Sequence, residues 1–207
     1  ENYMNLGDNF IQEGLANRIT PFTTNRKGTK NFDTEKTYRN MMTRYKYGGL
    51  SRPGLYLDET VMRMCYTHRR LFGQLALQLI GEGKKDKALK VLQKAAKEIP
   101  VYNVPMNYMS GGTDIAKAYA LLGQKKEALK CLNAVWNDAE QYERYYQSLT
   151  GIRFIQAQHD FLVQMSILDQ VRTVTSLVDR KLAARQKAQL DNFYRTYVGK
   201  GGQIEQQ

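Results

Sequence analysis

The chain is poor in proline, cysteine and histidine, with four, two and two of them among 207 residues. So little proline beside 42% hydrophobic residues excludes a disordered or collagen-like chain and points to a mostly helical globular protein. Cys65 and Cys131 make no metal or redox motif. Cys131 falls inside an expected helix, where a cysteine serves as a small buried hydrophobe, and the spacing leaves a disulfide between the two open. Cys65 and His68 share a helix face, but two ligands do not make a metal site, and His159 belongs to a different helix. No apolar run reaches the roughly 20 residues that span a bilayer. No signal peptide is visible. A phosphate-binding glycine loop, a dinucleotide fingerprint and a Gly-x-Ser-x-Gly elbow are all missing. The adjacent acids Asp58 and Glu59 read as a helix cap and its first turn. No catalytic residue, metal ligand or cofactor contact is therefore assigned to this chain.

What the chain has in excess is positive charge, +11 at neutral pH. Its distribution decides what it means. Basic residues outnumber acidic ones nine to six in 1–58, nine to four in 59–100 and nine to six after 140, and the counts balance in 101–140. The one concentration is Lys87, Lys90, Lys94 and Lys97, spaced by three and four along one helix side, with Ala88, Val91, Leu92, Ala95 and Ile99 on the other. A solvated outer face accounts for such lysines. They could touch phosphates, yet no base-reading element accompanies them, so nothing beyond weak, salt-sensitive nucleic-acid binding is expected. Proximity to an anionic membrane surface is compatible with the same charge.

An internal repeat gives the architecture. With Gly83 set against Gly123, Ala76 matches Ala116, Leu79 matches Tyr119, Ala88 matches Ala128 and Leu92 matches Leu132. The text after each glycine reads Lys-Lys-Asp-Lys-Ala-Leu-Lys and Gln-Lys-Lys-Glu-Ala-Leu-Lys. Small residues either side of a glycine turn let two antiparallel helices approach closely. The pattern resembles the tetratricopeptide repeat, a helix pair of about 34 residues. Here the period is stretched by Val101–Gly112, an insertion carrying Tyr102 and Tyr108. In that family the first helices of successive pairs line a groove for extended peptides. The resemblance places Arg70, Gly73, Leu77, Thr113, Lys117 and Ala120 on such a surface, where Arg70 and Lys117 could grip a carboxylate; the equal alternative is a groove filled by the chain's own N-terminal segment. Tyr102 and Tyr108 are candidates for stacking on sugar rings, the alternative reading being a glycan- or lipid-linked-sugar-binding domain.

Along the chain, residues 3–14 read as a short helix, followed by an edge strand through Leu15, Asn17, Ile19 and Phe22. Asp33 is expected to cap a helix running to Tyr45, and Asp58 to cap one running to Gly81 with a core stripe of Val61, Met64, His68, Leu71, Leu75 and Leu79. Further helices are expected over 85–99, 114–122, 125–148, 153–172 and 179–197, the last two as a divergent closing pair. The fold class is mainly α: tetratricopeptide-like helix pairs over 55–198, a small mixed segment over 1–54 packed on the first pair, and a tail over 199–207. In the mixed segment Phe10, Leu15, Ile19, Phe22, Met41, Met42 and Tyr45 require burial.

Three further stretches carry a wider resemblance: Gln-Glu-Gly-Leu-Ala-Asn-Arg-Ile-Thr-Pro-Phe at 12–22, Asp-Thr-Glu-Lys-Thr-Tyr-Arg-Asn-Met-Met at 33–42 and Tyr-Leu-Asp-Glu-Thr-Val-Met-Arg-Met at 56–64. With the Gly-Lys-Lys-Asp-Lys-Ala segment and the Ile-Pro and Val-Pro pairs at 99–105, they are similar to the C-terminal soluble region of Bacteroidetes multi-pass membrane proteins related to protein O-mannosyltransferases. The resemblance implies that transfer chemistry belongs to a membrane-embedded part outside this chain. The chain itself would be a noncatalytic bracing or protein-binding module on the periplasmic side of the inner membrane. Its partner would be a protein or peptide, including the membrane part of its own parent.

Overall fold

A computed structural model describes residues 9–21 and 31–202. It is mainly helical, with seven α-helices and one two-stranded hairpin among the described residues. The chain divides into two compact units, Glu1–Pro105 and Met106–Gln207, with the division inside the insertion that lengthens the repeat.

In the first unit, β1 (Phe10–Gln12) pairs antiparallel with β2 (Asn17–Ile19), Ile11 opposite Arg18. The helix expected over 3–14 is therefore a strand in its described part. Two short runs joined through Gly14, at φ +102°, satisfy each other's backbone in a way that three residues of helix cannot. Leu15 and Ile19, expected to be buried, are exposed, because a two-stranded ribbon has an outer face. Phe22 lies outside the described residues. The helix α1 (Thr34–Arg39), capped by Asp33 through the Lys36 amide at 2.9 Å, passes into a π-helical turn over Asn40–Arg44. Glu13 ties the hairpin to α1 by an ion pair with Lys36 at 2.8 Å. Its carbonyl accepts from the Asn40 amide at 3.0 Å.

Next come α2 (Glu59–Gly81), capped by Asp58, and α3 (Lys85–Glu98). Leu71, Leu75 and Leu79 are buried between them as expected, but Val61 and Met64 stay exposed, Met64 by 57%. The reason is length: α2 has 23 residues and α3 only 14, so the first turns of α2 outrun their partner.

The second unit contains α4 (Gly112–Leu121), α5 (Lys125–Ser148), α6 (Gly151–Ser176) and α7 (Arg180–Gly199). The closing pair is longer than expected. Val171 and Val174 extend the buried side of α6, and Asp179 ends the turn by accepting from the Lys181 and Leu182 amides at 3.0 Å. Phe154, Phe161 and Tyr197 form an aromatic cluster between α6 and α7, with ring centroids 4.9 to 6.2 Å apart. Beyond α7, Lys200 turns back to donate to the carbonyls of Gln147 and Leu149. Residues 203–207 lie outside the described residues.

The α2/α3 and α4/α5 hairpins have the same turn construction. Gly83 and Gly123 sit at φ +75° and +74°. The Lys84 amide donates to Leu79 at 2.8 Å and the Gln124 amide to Tyr119 at 2.9 Å, the six-to-one bond of a glycine-ended helix. Ala76, Ala88, Ala116 and Ala128 have no exposed surface. Gly112 serves a different purpose: an added Cβ would lie 2.5 Å from Val135 Cγ2 and 2.8 Å from the Asn107 carbonyl oxygen. Gly123→Ala, with open space around it, should cost about 1 kcal/mol of backbone strain. Gly112→Ala should cost roughly 2 kcal/mol or more, since a backbone carbonyl cannot step aside. Urea denaturation of the two variants checks the order, and a Gly112→Ala cost below that of Gly123→Ala would contradict it.

Candidate interaction surfaces

The residues expected to bind a partner divide between the units. In the first unit, Arg70 is exposed on α2, Leu77 is half-buried and Gly73 is buried. Gly73 therefore offers no side for a ligand. In the second unit, Lys117 is exposed on α4, with Thr113 and Ala120 half-buried. The Thr113 hydroxyl oxygen is buried with no hydrogen-bond partner. In α2 the other exposed cation, Arg63, is paired with Glu59 at 2.6 Å, whereas Arg70 and, on α4, Lys117 stand on the first helix of each pair.

Tyr102 and Tyr108 also fall in different units. Tyr102 has an open ring, but its hydroxyl donates to the Ser51 carbonyl at 2.5 Å. The neighbouring Asn103 amide holds the Leu50 and Arg52 carbonyls at 2.7 and 2.5 Å. These bonds fasten the loop after α3 to the segment before α2, so this part of the insertion serves the fold of its own unit.

Half of the lysine stripe is likewise engaged within the first unit. Lys87 binds the Glu35 carboxylate at 3.0 Å, together with Lys84 at 2.6 Å, and Lys94 donates to the Met42 carbonyl at 2.8 Å. Lys84 and Lys87 hold the Glu35 carboxyl below its ordinary pKa through hydrogen bonds. Lys90 and Lys97 remain exposed. The expected solvated stripe is therefore half an internal contact, which thins the footprint available to phosphates.

Cys65 and His68 are packing groups. The His68 ring meets Tyr45 and Tyr47 edge-on, at 6.4 and 5.7 Å, and burial lowers its pKa. Burial raises that of the Cys65 thiol, keeping it protonated and unreactive. Neither cysteine is in a disulfide, and both are buried. Among the described residues no three of His, Cys, Asp and Glu come together, and no helix is long and apolar enough to cross a membrane.

No family model, curated protein or solved structure matches the chain.

Three features of the structure carry no motif in the sequence. Arg69, beside the chosen Arg70, is 1% exposed and donates to the carbonyls of Ile99, Val104 and Pro105 at 2.9, 2.6 and 2.7 Å. Its position with Cys65, Phe72, Ala76 and Leu79 on one helical stripe was the available signal. Glu143 is fully buried, and neither carboxyl oxygen has a hydrogen-bond partner. Desolvation pushes its pKa up to about 8. Glu140, one turn earlier, shows the contrast: its carboxylate accepts from Trp136, Arg144 and Gln189. The third feature is α6, whose inner side buries Phe154, Phe161 and Leu168 while Ile152 and Ile155 stand 70% and 64% exposed opposite them. A helix apolar on both sides has a second surface to cover. At its start lies a cleft of about 280 Å³ lined by Leu149, Thr150, Gly151, Phe154, Ile155 and Lys200. The Lys200 ammonium, 5.3 Å over the Phe154 ring, is committed to two backbone carbonyls.

Proposed function

We propose that the chain is a noncatalytic protein-interaction or bracing module built from tetratricopeptide-like helix pairs. It would serve as the extramembrane region of a membrane glycosyltransferase-like protein, on the periplasmic side of the inner membrane. The observation that carries the reading is the matched construction of the two hairpins: left-handed glycines, six-to-one hydrogen bonds and four fully buried alanines at equivalent places. Helix pairs of this kind recruit polypeptides through exposed side chains on their first helices. Arg70 and Lys117 are the cations so placed. They suit acidic side chains or a terminal carboxylate. The link to a glycosyltransferase is supported by the sequence resemblance over 12–22, 33–42 and 56–64. The alternative glycan reading draws on the open ring of Tyr102, although the hydroxyl that would orient a sugar already serves Ser51.

A random ten-residue peptide library displayed against the whole chain tests the reading. Selected peptides should be rich in Asp and Glu. Their affinity, titrated by fluorescence anisotropy, should fall about tenfold in Arg70→Glu or Lys117→Glu, as expected for loss and reversal of one charge-assisted contact. Saturable binding that ignores both substitutions would remove these residues from the interface.

A further inference from the structure

The outer face of α6 carries an uncharged stripe. Ile152, Ile155, His159, Leu162, Val163 and Ser166 recur at spacings of one, three and four, and all are exposed. The four charged residues of α6, Arg153, Asp160, Asp169 and Arg172, all fall outside this arc. In a chain with 25% charged residues, such an arc on a 26-residue helix is unusual for a solvated surface.

Its edge identifies the occupant. Arg153 and Asp160 are seven residues apart, so they lie on one edge of the stripe, with opposite signs. Both are exposed, and among the described residues neither makes an ion pair. When two copies of one helix pack antiparallel about a two-fold axis, each edge meets its own counterpart. Arg153 then faces Asp160 of the second copy, and Asp160 faces Arg153. The register that makes these two ion pairs sets Ile152 against Val163 in the seam and Ile155 against Leu162 on the opposite edge. It also brings Gln156 beside His159 at the centre, a polar layer of the kind that fixes register. One register therefore satisfies the apolar, polar and charged positions together.

We propose that α6 is the seam of a homodimer in which two copies of this chain pack antiparallel through Ile152–Val163. This goes beyond the helix-pair reading and does not depend on it, since the seam uses no residue of α2 or α4. A seam of 12 residues, about 18 Å of helix, makes a small interface, so the dimer should be reversible and of micromolar strength.

Sedimentation of the full chain across a concentration series tests it, with circular dichroism confirming unchanged helicity. The wild type should pass from its 23.9 kDa monomer to twice that mass. Arg153→Glu or Asp160→Lys alone sets like charges against each other and should raise the dissociation constant about tenfold or more. The double variant Arg153→Glu/Asp160→Lys should restore it, and an equimolar mixture of the two single variants should form a heterodimer. A wild type that stays monomeric at every concentration would overturn the proposal. So would a dimer whose strength ignores both charge reversals.

Discussion

Arg69→Met should destabilise the first unit by about 3–5 kcal/mol, the range for loss of a buried charged hydrogen-bond network. The guanidinium gathers the carbonyls of Ile99, Val104 and Pro105, where α3 has ended and the backbone turns without a helix to satisfy it. Each bond is charge-assisted, and methionine fills the same space without supplying a donor. The three carbonyls would then be orphaned, two of them in bonds that are fully buried in the native chain. Arg69→Lys should recover only part of the loss, because a point-like ammonium cannot span the three acceptors of a planar fork. Urea denaturation gives the magnitude, and amide exchange at Val104, which donates to Pro100, locates it. A cost below about 1 kcal/mol for Arg69→Met would show that the fork is dispensable.

Glu143→Met should do the opposite and stabilise the second unit by about 3 kcal/mol at pH 7, as an order of magnitude. The sign follows from proton uptake. Burial raises the carboxyl pKa from 4.5 to about 8, so between these values the folded chain holds a proton that the unfolded chain has released. Stability contributed through this group is then fully present below pH 4.5, declines as pH rises towards 8, and reaches its floor above that. Methionine has no proton to lose, and it also removes two unpartnered buried oxygens. The only tryptophan, Trp136, is nearly buried on the same helix and reports the transition by fluorescence. Wild type and variant should diverge as pH rises from 5 to 8, a window bracketed by the two pKa values. A constant difference across that window would mean that Glu143 is already ionised in the folded chain.

The two hairpins were legible because their sequence carries the information twice. A 3.6-residue apolar period, small residues at the crossing and a glycine at each turn agree with one another in both copies, and Asp33 and Asp58 cap helices as expected. The hairpin of β1 and β2 was not, since three-residue strands carry too little periodicity to separate them from a helix turn. For α6 the pattern misled differently: apolar residues on both sides blur the stripe from which the ends of a helix are read.

Among site residues, Arg70 and Lys117 were found from the repeat alignment and are exposed, while Gly73 is buried. Arg69 and Glu143 were passed over because a charged residue is ordinarily placed outside. Yet each falls in step with a buried stripe, Glu143 following Leu132, Trp136 and Ala139 at spacings of four, three and four. Lys87 and Lys94 show the converse case. Their helical spacing was correctly read, but contacts to Glu35 and Met42, some 52 residues away in sequence, are not encoded in spacing.

Amide hydrogen exchange on the whole chain, free and saturated with a selected acidic peptide, tests the proposed role most directly. Polypeptide recognition by the first helices predicts slowed exchange in Glu59–Gly81 around Arg70 or in Gly112–Leu121 around Lys117, with α7 unchanged. Protection confined to α7 or to the Phe10–Ile19 hairpin, with α2 and α4 unaffected, would contradict it.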